Sequence, residues 1–149
     1  MTQFLIKIFF DEYVDKYLHG LVKNKQMYFS IDSIARILKK ENIDEWGLKL
    51  TIGFKNSFTC ITYLNFKFIT KEVVIFFLQN NRSKEARILL KILEGEKLVL
   101  VKKNRLNEYI LIHCKSAKFD GISFKKWEEN LMNEINTQVL YNTSHPFNL

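Results

Sequence analysis

The sequence predicts an α+β fold in which small antiparallel sheets or hairpins pack with several helices. One observation is a series of β-rich runs separated by polar turns, at residues 4–10, 21–29, 48–54, 58–64, 97–101 and 109–114. Another is helical spacing of apolar residues after four residues that can cap a helix N-terminus, Ser30, Thr70, Ser83 and Ser123. A hydrophobic content of 47% with a single Pro excludes disordered and low-complexity classes.

The 149 residues are enough for one globular unit with a proper core and too few for two of ordinary size. Within that unit we distinguish two segments. Residues 1–95 are predicted to form the core of the unit. Residues 96–149 are predicted to add a hairpin, an amphipathic helix and a tail that pack on the same unit.

The first third of the chain is predicted to be mostly extended. Residues 4–10 should form a buried strand, followed by a turn or short helix over residues 11–19. Residues 21–29 are interrupted by the polar Lys23-Asn24-Lys25-Gln26, which is typical of a hairpin tip. Ser30 then begins a helix, and the runs at residues 48–54 and 58–64 form a second hairpin.

Two consecutive helices are predicted between residues 70 and 93. Thr70 caps the first, whose apolar run Val73 to Leu78 belongs in the interior. Ser83 caps the second. In that helix Ala86, Leu89, Leu90 and Leu93 fall on one side, and Lys84, Arg87 and Lys91 fall on the other.

The cationic face of the second helix has two interpretations: a solvated surface, or a binding site for a polyanion. The charge distribution favours the second. Residues 66–105 contain ten Lys and Arg against four Asp and Glu, so nearly all of the net charge of +7 lies there. Phosphate neutralisation gives such a segment affinity for nucleic acid without any reading of sequence.

The C-terminal third contains a second predicted hairpin, residues 97–101 with 109–114. Its tip, Lys102-Lys103-Asn104-Arg105, either reaches a phosphate backbone or is a loop kept soluble by charge. Ser123 begins the last helix, whose apolar stripe either packs on the core or on a second copy of the chain. In the latter case the stripe is an oligomerisation surface, comprising Phe124, Trp127, Leu131 and Ile135.

No motif in the sequence predicts an enzyme, a cofactor or a metal site. The three His residues are isolated, and the spacing of Cys60 and Cys114 fits neither a zinc nor a redox site. A small nuclease with scattered Asp, Glu and Lys remains an alternative, because such sites leave little local signature. There is no signal-peptide pattern and no apolar run of membrane-spanning length, so we expect an intracellular protein without membrane partners.

Residues 28–38, YFSIDSIARIL, contain an aromatic-Phe segment that leads into a predicted helix, and residues 68–78 followed by Ser83–Leu89 contain two further predicted helices. Together these two segments resemble the Bro-N domain of large double-stranded DNA viruses of insects and of phage antirepressors, a relative of the KilA-N DNA-binding domains. The first segment is similar to the family's aromatic-Phe segment and its helix of the form D-[VI]-A-x-x-L, and the second is similar to the two helices that follow in the family. The resemblance covers residues 4–95 and implies an α+β DNA-binding module, located in a host nucleus or cytoplasm if the protein is viral.

The predicted function is therefore non-enzymatic binding of nucleic acid, with double-stranded DNA as the expected partner, in viral transcription or replication. The alternative is a viral structural or interaction module that forms homo-oligomers through its last helix. The predicted phosphate contacts are Lys71, Arg82, Lys84, Arg87, Lys91, Lys102, Lys103 and Arg105. The predicted base contacts are Asn80, Asn81, Arg82 and Arg87, because Arg and Asn can bind base edges in a bidentate manner.

Overall fold

The computed structural model describes residues 3–10, 13–38, 60–106, 108–114 and 121–144. The predicted run at 48–54 lies outside these residues, as do the first two residues of the predicted run at 58–64. The described strands are β1 (Gln3–Phe10), β2 (Tyr13–Lys23), β3 (Gln26–Ser30), β4 (Cys60–Tyr63), β5 (Phe66–Thr70), β6 (Leu98–Lys103), β7 (Glu108–His113) and β8 (Ile122–Ser123). The helices are α1 (Ile31–Ile37), α2 (Lys71–Gln79), α3 (Lys84–Leu93) and α4 (Phe124–Ser144).

The described strands form one sheet in the order β4-β5-β3-β2-β1-β7-β6-β8. The α+β class is confirmed, but the strands join one sheet instead of several small ones. The connection is the parallel pair β1 and β7, in which Ile6 lies opposite Tyr109 and Ile8 opposite Leu111. Residues 96–149 therefore contribute strands to the same sheet as residues 1–95.

The predicted turn or short helix over residues 11–19 is wrong, because β2 extends from Tyr13 to Lys23. Pairing with β1 overrides the weak local pattern, and Leu18 faces the core opposite Ile8. The hairpin tip after β2 is confirmed. Asn24 and Lys25 have φ values of 53° and 63°, the left-handed conformation required by a tight two-residue hairpin turn.

Helix α1 follows directly after β3 and is hydrogen-bonded to both β3 and β2. Strand β3 ends at Ser30, and the Oγ of Ser30 accepts a hydrogen bond from the N–H of Ser33, which caps α1 as predicted. Ser33 Oγ in turn accepts from the backbone N–H of His19, 3.1 Å away. A helix side chain thus satisfies the β2 amide that immediately precedes Gly20, the first residue of β2 that pairs with β3.

The imidazole of His19 lies between two aromatic rings on this part of the sheet. Its centroid is 6.3 Å from that of Tyr17 and 5.5 Å from that of Phe68. Burial lowers the pKa of His19 from its usual value of 6.5, and the positive charge of Lys7 lowers it further, against an opposing effect of Glu108. His19 is therefore neutral at pH 7.

The four helices and alternate residues of the central strands bury their apolar side chains in one cluster. The prediction that the whole run Val73 to Leu78 is interior is wrong at one position, since the side chain of Phe76 is 52% exposed. Phe76 shares the outer face of α2 with Glu72 and Asn80, four residues away on either side. Among the described helices, none has the length and hydropathy needed to cross a membrane.

The apolar stripe of α4 is part of this cluster. The four residues named as an oligomerisation surface, Phe124, Trp127, Leu131 and Ile135, are between 0% and 6% exposed. Trp127 also contacts Tyr109 of β7, with ring centroids 5.5 Å apart. These side chains pack on their own chain, so the proposed oligomerisation surface is corrected to an internal one.

The register of the sheet predicts a strong effect of Gly20→Ala. The added Cβ would lie 2.9 Å from Cε1 of Phe29, the residue opposite Gly20, and 3.3 Å from Cβ of Ile6. We expect a loss of about 1–3 kcal/mol in the free energy of unfolding, measured by urea denaturation. In a Phe29→Leu background the same substitution should cost less, because the ring edge is gone. An equal cost in both backgrounds would contradict the packing described.

His19 predicts that stability falls with acidification. The unfolded state takes up a proton near pH 6.5, whereas the folded state resists it because its pKa is lowered. The free energy of unfolding should therefore decrease as the pH falls below 6.5, and the decrease should be smaller in His19→Gln. Urea melts of both proteins between about pH 7.5 and 5 test this, and parallel pH profiles would refute it.

Candidate nucleic-acid interface

Helix α3 is fixed at both ends by local hydrogen bonds. Ser83 Oγ accepts from the N–H of Ala86, 3.2 Å away, which confirms Ser83 as the N-cap. At the C-terminal end Gly95 has φ of 83°, and the N–H of Glu96 donates to the carbonyl of Lys91 at 2.8 Å. This is the usual left-handed termination of a helix. In contrast Thr70 stands at the start of α2 without a side-chain capping bond.

The two faces of α3 differ as the sequence predicts, with one exchange. Its buried residues are Ala86, Leu89, Ile92 and Leu93. Leu90, predicted on this face, is only partly buried, and Ile92 takes its place in the interior. The opposite face carries Lys84, Arg87 and Lys91, all exposed and spaced by three and four residues along one side.

Arg82 joins this face at the N-terminal end of α3. The guanidinium of Arg87 donates from Nη2 to the carbonyl oxygen of Arg82 at 3.1 Å, which holds the two residues together. Both line an open cleft of about 350 Å³ between α2 and α3. We call the exposed cations Arg82, Lys84, Arg87 and Lys91 the α3 basic face. The partial positive charge of the helix N-terminus adds to their field.

The predicted base contacts Asn80 and Asn81 have local structural roles. Asn80 Nδ2 donates to the carbonyl of Phe76 at 2.8 Å, and Asn81 Oδ1 accepts from the N–H of Ser83 at 2.9 Å. These bonds shape the turn between α2 and α3. Each bond engages one of the two amide atoms that a bidentate contact with adenine uses, so a base would have to share that atom with the turn. Base contacts by Asn80 and Asn81 stay a prediction.

Lys71 does not belong to the α3 basic face. Its Nζ donates to both carboxylate oxygens of Glu128 on α4, at 2.7 Å for Oε2. The two side chains are only 17% and 16% exposed. The prediction that Lys71 contacts phosphate is therefore corrected: its charge is neutralised inside the protein, at the junction of α2 and α4.

The cations of the β6–β7 hairpin tip lie on a different element. Lys102, Lys103 and Arg105 are exposed, as predicted. Lys103 Nζ is 5.8 Å from the ring centroid of Phe4 and 5.5 Å from that of Tyr109, which places this part of the tip beside the start of β1. Asn104 shapes the turn by accepting from the N–H groups of Leu106 and Glu108.

The described residues offer little for metal or thiol chemistry. No group of three or more His, Cys, Asp or Glu within them is arranged to hold a metal ion. Cys60 and Cys114 are not joined by a disulfide, and each is partly buried. A small nuclease with scattered Asp, Glu and Lys stays an alternative prediction.

The chain matches no protein-family model, no curated protein and no solved structure. The resemblance to Bro-N domains accordingly stays a prediction that depends on the two sequence segments.

The ion pair predicts that Lys71→Met affects stability and leaves binding unchanged. Losing Lys71 leaves Glu128 partly buried without its partner, at a cost of about 1–3 kcal/mol in the free energy of unfolding. Glu128→Gln in the same chain should recover part of that loss. If Lys71→Met instead weakened nucleic-acid binding at unchanged stability, Lys71 would be a phosphate contact after all.

Proposed function

We propose that this protein binds nucleic acid, with duplex DNA as its partner, through phosphate contacts of the α3 basic face. The observation that carries the proposal is the segregation of α3: one face is buried in the core, and the other presents four exposed cations. A buried face fixes the helix in place, so the cations project from a rigid support. The proposal is for a binding protein and not for an enzyme.

The spacing and the chemistry of the cations favour phosphate groups over other anions as the partner of this face. Cations spaced along about two turns of helix span roughly 10 Å, a distance over which a nucleic-acid strand presents consecutive phosphates. The cleft beside Arg82 and Arg87 adds a concave surface with two guanidinium groups, which match phosphate oxygens in a bidentate manner. Both features are independent of base sequence.

The resemblance to Bro-N domains supports the same proposal from the sequence. It suggests duplex DNA as the partner and a role in viral transcription or replication inside the host cell. The cations of the β6–β7 tip, Lys102, Lys103 and Arg105, extend the surface if the DNA curves towards them.

Replacing Arg87 and Lys91 together by Gln should weaken duplex binding by about tenfold or more. Each lost phosphate contact should also lower the slope of log K against log salt by about 1. Fluorescence anisotropy with a labelled random duplex, titrated between about 50 and 200 mM salt, measures both quantities. The same series with single-stranded DNA and RNA ranks the partners.

The matched control replaces Lys25 and Lys67 by Gln. These two exposed cations lie on the β2–β3 turn and on β5, and their loss changes the net charge by the same amount. The control should keep most of the affinity. Equal losses in the two double variants would mean that overall charge, and not the α3 basic face, determines binding. No binding of the parent protein at low salt would end the proposal.

A further inference from the structure

A second concave site lies beside the end of β3, where α1 begins. It is a cleft of about 110 Å³ between β2, β5 and α1, remote in sequence from the α3 basic face. Its walls come from residues 17–19, 30–37 and 66, so no single segment of the sequence predicts it. We call it the β2–α1 pocket.

The register of the sheet sets the width of this pocket. Phe29 of β3 pairs with Gly20 on one side and with Ile69 on the other. Tyr17 and Phe66 each lie three residues before those partners, so they stand level with each other across the gap that β3 leaves. Two strand spacings, roughly 9–10 Å, separate the backbones of these two residues. A flat ring between two aromatic side chains needs roughly 7 Å, twice the contact distance of carbon atoms.

The polar groups at the floor of the pocket already have hydrogen-bond partners within the protein. Ser33 Oγ donates to the carbonyl of Ser30 at 2.9 Å and accepts from the N–H of His19. Ser30 Oγ accepts from the N–H of Ser33. The imidazole of His19, which is neutral at pH 7, completes the aromatic wall next to Tyr17. These groups shape the site and leave recognition to its charged residues.

Two charged side chains line the pocket, Asp32 and Arg36. They are four residues apart on α1, so their side chains lie on the same side of the helix, with the acid in the first turn and the base in the last. Within the described part of the chain neither forms an ion pair. The pocket thus combines aromatic walls with one acceptor of two hydrogen bonds, Asp32, and one exposed cation, Arg36.

We propose that the β2–α1 pocket binds the guanine base of a nucleotide, with the ring between Tyr17 and Phe66, the base edge on Asp32 and a phosphate on Arg36. Guanine presents two adjacent N–H donors on its Watson–Crick edge, which a carboxylate accepts with its two oxygens. Adenine, cytosine and uracil each present a donor beside an acceptor, and that acceptor repels the second carboxylate oxygen. The pocket goes beyond the proposed phosphate contacts of α3, since it uses different residues and reads a base.

Isothermal titration of the full chain with GMP, AMP and inorganic phosphate tests the proposal. GMP should bind at least about tenfold more tightly than AMP, because one charge-assisted hydrogen bond is lost with adenine. Phosphate alone should bind weakly. Arg36→Gln should weaken GMP binding by about tenfold or more, and Asp32→Asn should abolish the preference for GMP over AMP. Both side chains are at least partly exposed, so neither substitution disturbs the core.

Arg87→Gln is the matched control, an equal loss of charge on the α3 basic face. It should leave GMP binding unchanged, and Arg36→Gln should leave the affinity for blunt duplex unchanged. The two proposals therefore fail separately. A blunt duplex compared with one bearing an unpaired terminal G distinguishes the source of the base. Tighter, Asp32-dependent binding of the overhang identifies nucleic acid as the source, and binding of GMP without that gain identifies the free nucleotide.

Three results would overturn the inference: no binding of GMP at millimolar concentration, equal binding of GMP and AMP, or GMP binding that survives both Arg36→Gln and Asp32→Asn. Tighter binding of L-phenylalanine than of GMP would overturn it as well. That result would mean that Asp32 and Arg36 hold the ammonium and carboxylate of an amino acid.

Discussion

The parallel pairing of β1 with β7 is the contact on which the rest of this structure depends. It joins the first strand of the chain to a strand more than a hundred residues later and places Ile6 and Ile8 beside Tyr109 and Leu111. Once β7 is docked, β6 and β8 extend the sheet, and α4 follows directly from β8. The apolar stripe of α4 is then buried within the chain, against Tyr109 and beside α3. The segment after Gly95 is therefore part of the core and not an accessory to it.

The same packing determines which charges face solvent. The pairing of Lys71 with Glu128 exists only because α4 lies beside the start of α2, and it removes one cation from the surface. The cations of α3 stay outside because Ala86, Leu89, Ile92 and Leu93 occupy the opposite side of the helix. A count of Lys and Arg along the chain treats Lys71 and Lys91 alike, whereas the tertiary structure separates them. The surface charge of this protein is a property of its packing.

The sequence was informative where structure is decided locally. The caps at Ser30 and Ser83 follow from side chains that bond to nearby backbone, and the β2–β3 turn follows from residues that tolerate positive φ. Prediction failed where distant partners decide. Strand β2 was missed over residues 13–19 because its pairing with β1 outweighs a weak local pattern.

Site prediction followed the same division. The α3 basic face was predictable because a helix brings Lys84, Arg87 and Lys91 together at fixed spacing. The β2–α1 pocket was not predictable, because neither sequence segment alone shows the sheet register that places Tyr17 level with Phe66.

The hydrogen bonds of the α2–α3 turn bear on how specific the proposed DNA contact can be. Asn80 and Asn81 are engaged with the backbone, and Arg87 is held by the carbonyl of Arg82. Base reading that released Asn81 from this turn would remove its bond to the N–H of Ser83, the N-cap of α3, and with it part of the rigidity that phosphate binding uses. The α3 basic face is consequently suited to phosphate contacts that tolerate any base sequence, and base contacts by Arg82 and Arg87 stay a prediction. In our second proposal the other surface, the β2–α1 pocket, reads a base. There the carboxylate of Asp32, and not an amide, accepts hydrogen bonds from the base.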